Sequence, residues 1–341
     1  MRQMWIPKVG TPEVFELREA PDPKPGPGEL RIRVGAAGVN FADIMGRLGM
    51  YPDLPALPVV VGYEVSGRVD AVGSAEQAHW LGADVLAMTR FGGYTDVICV
   101  PHEQVYVRPE GMSVEVGAAL PVNYVTAYQL IEVMGSLDES ETILIHSAGG
   151  GVGIAAVQLA KRIGARIVGT ASVAKHEFLH SIGVDECIDY RNEDFEARVK
   201  DLTHGRGVEL ILDAVGGESW KKSYRSLSHS GRLGMFGLAT AATHKRINKL
   251  SFYKAVFSIP WFQFTPPALM GRNRGVFGVN VGHLWGEIPR VRRWMDQLLR
   301  YYVAGDIAPV IAGSFPLERA GDAHHFMQDR KNLGKVVLTT D

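Results

Sequence analysis

The sequence predicts an α/β protein in which a doubly wound parallel sheet is joined to a second, β-rich domain. Three observations predict this. Residues 142–172 run apolar strand, glycine cluster, helix, apolar strand. From there to about residue 237, short apolar runs alternate with helical patterns, as a parallel sheet requires. Before about residue 122, short β-branched runs are broken by glycines, which suggests a compact, barrel-like β domain.

Each element has its own signal. Pro21, Pro23, Pro25 and Pro27 make a loop, because proline cannot donate to a sheet ladder. Leu30–Val34 alternates apolar and basic residues, as a half-buried strand does. Val59–Val72, Val85–Ala87 and Tyr94–Val100 read as strands, with breaks at Gly62, Gly67, Gly73 and Gly92–Gly93. Phe41–Leu48 reads as a short helix that Asn40 can cap, with Asp43 in its first turn. Pro121–Met134 reads as a helix leading into the strand Thr142–His146. Later strands are expected at Arg166–Thr170, Glu186–Asp189, Val208–Asp213 and Arg232–Gly237. Helices are expected at Ile154–Ile163, Ala174–Ile182, Phe195–Leu202, Trp220–Leu227 and Glu287–Gly305.

The glycine cluster carries the first chemistry. Gly150 and Gly153 fill the second and third positions of G-x-G-x-x-G, and Ala148 stands at the first. A pyrophosphate must approach this backbone closely, so the turn cannot carry Cβ atoms there. The amides of Gly150, Gly151, Val152 and Gly153 then point at the anion with a helix dipole behind them. A dinucleotide cofactor is therefore expected. Its 2′ position is read at the exit of the next strand, Thr170–Lys175. No acid lies between Gly153 and Lys175 to accept from a ribose hydroxyl. Ser172 and Lys175 suit a 2′-phosphate instead, with Thr170 at the strand end also expected on the cofactor, so NADPH is favoured over NADH.

Bulk properties bound the rest. The chain has 341 residues, 21% charged and 46% hydrophobic, with a net charge of −1. Two domains are expected at this length. Nothing in the charge balance argues for nucleic acid or an anionic membrane as partner. Two cysteines, Cys99 and Cys187, cannot build a disulfide framework or a multi-thiolate zinc site. No apolar stretch is long enough for a membrane span, and the N-terminal residues lack a signal-peptide core. A cytoplasmic protein is expected.

These residues together resemble the zinc-independent quinone oxidoreductase branch of the medium-chain dehydrogenase/reductase superfamily. The match includes Gly38–Asp43, Gly62–Glu64, Phe91–Tyr94, Pro109–Ser113, the glycine turn, Asp189–Tyr190 and Gly334–Leu338. The stretch Pro266–Leu284 looks like the vesicle amine transport protein homologue subgroup. The resemblance implies a GroES-like catalytic domain from both chain ends, residues 1–122 and 283–341, and a Rossmann cofactor domain, residues 123–282. It implies Asn40 and Thr126 near the nicotinamide and Tyr51 facing the substrate. Lys175 and Tyr190 would hold the 2′-phosphate with Ser172. Phe236, Gly237 and Leu238, with Phe277, Gly278 and Asn280, would contact the nicotinamide end. Asn332 or Lys335 would reach the phosphate side.

The departures matter equally. Zinc-dependent relatives place a cysteine where this chain has Asn40, and His-Glu where it has Tyr63–Glu64. They also carry a four-cysteine loop that has no counterpart here. Zinc needs thiolate or neutral imidazole ligands in fixed geometry, so no metal is expected. Hydride transfer to a quinone or to the β-carbon of an enone remains, with Tyr51, Asn40 or Tyr63 as hydrogen-bond donors to the acceptor oxygen. The alternative expectation is an NADPH-binding protein with little turnover and an interaction or lipid-associated role. Lys249–Met270 holds Phe252, Tyr253, Phe257, Trp261, Phe262 and Phe264. It reads as a helical excursion over the cleft or against a partner subunit, and otherwise as a lipid-facing lid. A homodimer that continues the cofactor sheet is also expected.

Overall fold

The computed structural model describes residues 1–242 and 264–340. Six strands form the parallel sheet: β9 (Thr142–Ile145), β10 (Arg166–Ala171), β11 (Glu186–Asp189), β12 (Val208–Asp213), β13 (Leu227–Met235) and β14 (Gly275–Gly278). Their order is β11-β10-β9-β12-β13-β14, and every neighbouring pair is parallel. The order reverses between β9 and β12, which opens a crevice at the carboxyl ends of the strands there.

The strands are apolar throughout because both faces are covered. Alternate residues of β9 point to opposite faces. Ile143 and Ile145 pack with the helices Pro121–Tyr128, Gly151–Ile163 and Ile288–Ala304. Leu144 packs on the other side, with Val199 of the helix Phe195–Leu202 and Tyr224 of the helix Glu218–Arg225. The helix Ile288–Ala304 lies beyond residue 282, yet Val291, Trp294, Met295 and Leu298 enter the core of the cofactor sheet. Arg290, Arg293 and Arg300 stay exposed, while Arg292 donates to the Glu103 carbonyl. The helix from Pro121 runs on through a wider π-type turn at Gln129–Val133.

The rest of the chain builds two antiparallel-rich sheets. The smaller is β2-β1-β4, from Glu16–Glu19, Arg2–Ile6 and Val59–Val60. The larger runs β15-β16-β3-β5-β6-β8, with β7 also on β3. Here β3 is Glu29–Val39, β5 Glu64–Val72, β6 Asp84–Met88, β7 Val97–Pro101 and β8 Val105–Val107. The strands β15 (Ile311–Pro316) and β16 (Lys335–Thr339) come from the end of the chain. Val336–Thr339 pairs antiparallel with Ala36–Val39, so the two chain ends close one sheet. Buried side chains from both ends, such as Leu30, Ile32, Val65, Leu317 and Leu338, share one core.

The aromatics Phe252, Tyr253, Phe257, Trp261 and Phe262 lie outside the described residues. Phe264 is described: its ring meets Tyr224 edge-on at 5.1 Å, on the outer face of the cofactor sheet.

Candidate active site

The glycine turn sits at the carboxyl end of β9. Gly150 precedes the helix Gly151–Ile163 in extended conformation, so the first helical amides open toward the crevice. A Cβ on Gly153 would stand 2.4 Å from the Ser147 carbonyl oxygen, and one on Gly151 would stand 2.2 Å from Asn123 Nδ2. Gly153 would meet backbone and so requires glycine, whereas at Gly151 the Asn123 side chain would have to move. Ala148, the imperfect first position, is fully buried, and the residue opposite is Gly169. One methyl fits because its neighbour has none. The turn is also tied across the cleft: the Gly334 N–H donates to the Gly149 carbonyl at 3.0 Å.

The exit of β10 forms the first end of the site. Ser172 leaves the strand in extended conformation and Lys175 closes the short turn behind it. The Lys175 ammonium donates to the Asn332 carbonyl. Tyr190 follows β11, and Arg330 donates to its hydroxyl at 3.3 Å. Both the Arg330 and Arg191 guanidinium groups lie over the Tyr190 ring, at 5.8 Å and 5.9 Å. Burial alone would raise the Tyr190 phenol, but the hydrogen bonds and charges of Arg330 and Arg191 outweigh it and hold the phenol below its ordinary value. Burial lowers Lys175, and the two arginines lower it further. Three cations thus converge around the Tyr190 phenol. Sequence reasoning found Lys175 and Tyr190 but not Arg191 or Arg330. Arg330 is 140 residues from Tyr190, and only the fold joins them. Arg191, next to Tyr190, was in plain view.

Thr170 is placed differently from Ser172. Its hydroxyl is buried, at 3.1 Å from His146 Nδ1 and accepting from the Ser147 N–H at 3.3 Å. It steadies the turn from below. Lys335 calls for a correction. It does not reach the phosphate side: its ammonium is buried at Asn40, bonded to Asn40 Oδ1 at 2.5 Å and to Glu64 Oε1 at 2.5 Å. The buried Glu64 carboxylate captures it there. Asn332 stays near Lys175 through its carbonyl, while its side chain donates to Gly334.

The second end of the site lies where β12, β13 and β14 finish. The Phe236 N–H donates to the Asp213 carbonyl, and the Val279 N–H to the Met235 carbonyl. A Cβ on Gly237 would stand 2.9 Å from the Ala214 carbonyl, and Leu238 fills the space over Gly216. Phe277 and Gly278 end β14, and Asn280 caps the next turn by accepting from the Gly282 N–H at 3.0 Å.

Asn40, Glu64 and Lys335 meet the cofactor domain at this end. Asn40 Nδ2 donates to Glu64 Oε1 at 2.9 Å. Glu64 Oε2 accepts from the Val122 N–H at 2.7 Å, at the start of the helix that carries Thr126. Thr126 turns its own hydroxyl back to the Val122 carbonyl. Asp43 performs the capping: its carboxylate accepts from the Asn40 N–H at 2.8 Å and from the Gly62 N–H at 3.0 Å. Tyr51 and Tyr63 meet edge-on with ring centroids 6.1 Å apart, and Phe91 lies 5.0 Å from Tyr63. Tyr51 also reaches the cofactor domain: its hydroxyl stands 2.6 Å from where a Gly282 Cβ would be. Asp53 and His283 pair across the same gap at 2.5 Å.

Comparison with known proteins gives the family. Residues 26–110 match the alcohol dehydrogenase GroES-like domain, and residues 151–297 match the zinc-binding dehydrogenase family. The chain is 39% identical over 327 residues to the synaptic vesicle membrane protein VAT-1 homolog of Rattus norvegicus, covering 95% of this chain and 80% of that protein. This chain belongs to the medium-chain dehydrogenase/reductase superfamily. It is 31% identical over 343 residues to the quinone oxidoreductase-like protein 2 homolog of Nematostella vectensis, covering 99% of this chain and 89% of that one. Among solved structures it is similar to Escherichia coli quinone oxidoreductase complexed with NADPH. That TM-score is 0.87, at 26% identity, with full coverage of both chains.

The zinc that one of these family descriptions names does not fit the residues present. A carboxamide at Asn40 and a phenol at Tyr63 are poor zinc ligands beside thiolate and imidazole. Among the described residues no group of three or more His, Cys, Asp or Glu side chains is placed to hold a metal ion.

Replacing Lys335 with Met leaves the buried Glu64 carboxylate without its cation. Thermal or urea unfolding should show a loss of about 3 kcal/mol. The double variant with Glu64→Gln should lose less than the sum of the two single changes.

Proposed function

We propose that this protein is a zinc-independent, NADPH-dependent reductase of quinones or α,β-unsaturated carbonyls. The observation that carries the reading is the cluster of Lys175, Arg191 and Arg330 around Tyr190. It stands at the exit of β10, where a dinucleotide of this fold turns its adenosine ribose, and no acid there competes for ribose hydroxyls. A 2′-phosphate suits such a cluster, since guanidinium groups bind phosphate with several charge-assisted hydrogen bonds.

The glycine turn suits a pyrophosphate, because Gly153 lets the helix Gly151–Ile163 pack against its own turn and that helix offers its first amides. The chain ends of β12, β13 and β14, with Asn40 and Thr126 opposite, support a nicotinamide between the domains. When bound, the reduced nicotinamide supplies a hydride. The protein's part is positional. Asn40 is fixed by Glu64, Lys335 and the Asp43 cap, so its amide adds no reorganisation cost. Tyr51 bridges the two domains beside the acceptor position. An acceptor that takes hydride at a conjugated carbon needs no Lewis acid, in keeping with the donor set around Asn40 and Tyr63. The similarity to quinone oxidoreductase chains supports the same acceptor class.

Among the described residues β14 pairs only with β13. We take this open edge as the surface on which a second copy continues the sheet, making a homodimer. No helix among the described residues is long and apolar enough to cross a membrane. We assign the protein to the cytoplasm.

Steady-state kinetics with quinones and enones tests the reading. Turnover with NADPH is expected; tight NADPH binding without turnover on any acceptor would favour the binding-protein alternative. Arg330→Ala should raise KM for NADPH about tenfold and leave that for NADH unchanged, the loss of one charge-assisted hydrogen bond. Tyr51→Phe should shift KM severalfold for at least one acceptor. Unchanged kinetics with every accepted substrate would remove Tyr51 from the substrate side.

A further inference from the structure

Asn40, Tyr51 and Tyr63 lie close together where the β-rich domain meets the cofactor domain, and their hydrogen bonds differ. The Asn40 amide is committed on both sides, its Nδ2 to Glu64 and its Oδ1 to Lys335. The Tyr51 hydroxyl sits at the mouth, beside Asn280 and Gly282. Tyr63 is only 6% exposed, and among the described residues its buried hydroxyl has no hydrogen-bond partner. The Tyr51 phenol lies beside it and acts on it electrostatically, but outside the geometry of a closed hydrogen bond. A buried hydroxyl in this state costs free energy, and such groups call for an explanation. The backbone holds it firmly: the Tyr63 carbonyl accepts from the Thr89 N–H at 2.8 Å, and the Gly62 N–H before it is fixed by Asp43. Phe91, which backs the Tyr63 ring, is held at φ 66°, in the left-handed region that aromatic residues rarely adopt. The ring is thus locked with an unused donor.

We propose that the Tyr63 hydroxyl is the hydrogen-bond donor to the acceptor oxygen of the substrate, and that Tyr51 is the ring that covers it. The assignment rests on the reductase reading above and names which of its three candidate donors acts. For an enone the step balances as follows. Hydride forms a C–H bond at the β-carbon, and the C=C electron pair moves so that the carbonyl oxygen becomes an enolate oxygen. Tyr63 stabilises that oxygen by its O–H and keeps its proton. Water then protonates the α-carbon. Retention of the proton follows from burial first and the neighbouring Tyr51 phenol second, which together raise the Tyr63 phenol far above its ordinary value. A neutral donor aimed at developing negative charge in a dry site stabilises the transition state more than the ground state.

The test uses Tyr63→Phe in the full chain. The variant should lose at least tenfold in kcat for enones, with NADPH affinity unchanged by calorimetry. Its Tm should be unchanged or raised, because the hydroxyl has no partner to lose. A Tm drop of more than about 3 °C would reveal a structural partner and overturn the proposal. A second arm needs no turnover. The anion 4-nitrophenolate mimics an enolate oxygen, and its binding to the NADP⁺-loaded protein is read by visible absorbance. Tyr63→Phe should weaken it at least tenfold, and Tyr51→Phe should weaken it by clearly less than Tyr63→Phe does. Equal turnover, equal nitrophenolate binding, or no nitrophenolate binding by the unaltered protein would each overturn the assignment. If the unaltered protein reduces no acceptor, the reductase reading fails by itself, and the nitrophenolate arm still decides Tyr63.

Discussion

The buried Glu64 carboxylate is the constraint around which both domains are arranged. It is fully buried, and an isolated carboxylate there would be prohibitive. Its partners are Asn40 from the end of β3, Lys335 from β16, and the Val122 N–H at the start of the helix beneath the cleft. Those three segments are distant in sequence. Satisfying one carboxylate forces the chain's last strand beside β3 and sets the first turn of the cofactor domain's helix against it. The geometry of Asn40 is a by-product of that requirement.

A second buried chain backs the first. Arg47 Nε donates to His324 Nδ1 at 3.2 Å, so His324 Nε2 carries the proton and faces the Tyr94 hydroxyl at 3.0 Å. Tyr94 donates to Asp43 at 3.2 Å, and Asp43 holds the Asn40 and Gly62 N–H groups. Burial pushes the Asp43 carboxyl up to about 7, lowers Arg47 to about 10 and holds His324 well below its ordinary value. Such groups are unfavourable for stability taken singly. Linked in one directional chain, they fix the backbone at Asn40 and at Gly62, next to Tyr63.

The two ends of the cleft divide the work. The outer end gathers exposed and half-buried cations that suit a phosphate and screen easily in salt. The inner end is buried and carries neutral phenols and an amide. The contact between Gly334 and Gly149 ties the two ends to the same strand, so the C-terminal segment takes part in both.

The sequence by itself determined the parallel sheet and its cofactor crevice, because apolar runs covered on both faces and a Cβ-free turn are local signals. It also determined the absence of an acid beyond the glycine turn and the lack of thiolate or imidazole at Asn40 and Tyr63. The strands β1, β2 and β15 escaped it, because their strand character comes from partners elsewhere in the chain. The tertiary structure alone decided that Lys335 belongs to Asn40 and Glu64 rather than to a phosphate, because the pull of a buried carboxylate depends on distance in space. It alone brought Arg330 to Tyr190. It alone separated Tyr63 from Tyr51 and Asn40, since whether a hydroxyl is paired depends on every neighbour that folding supplies.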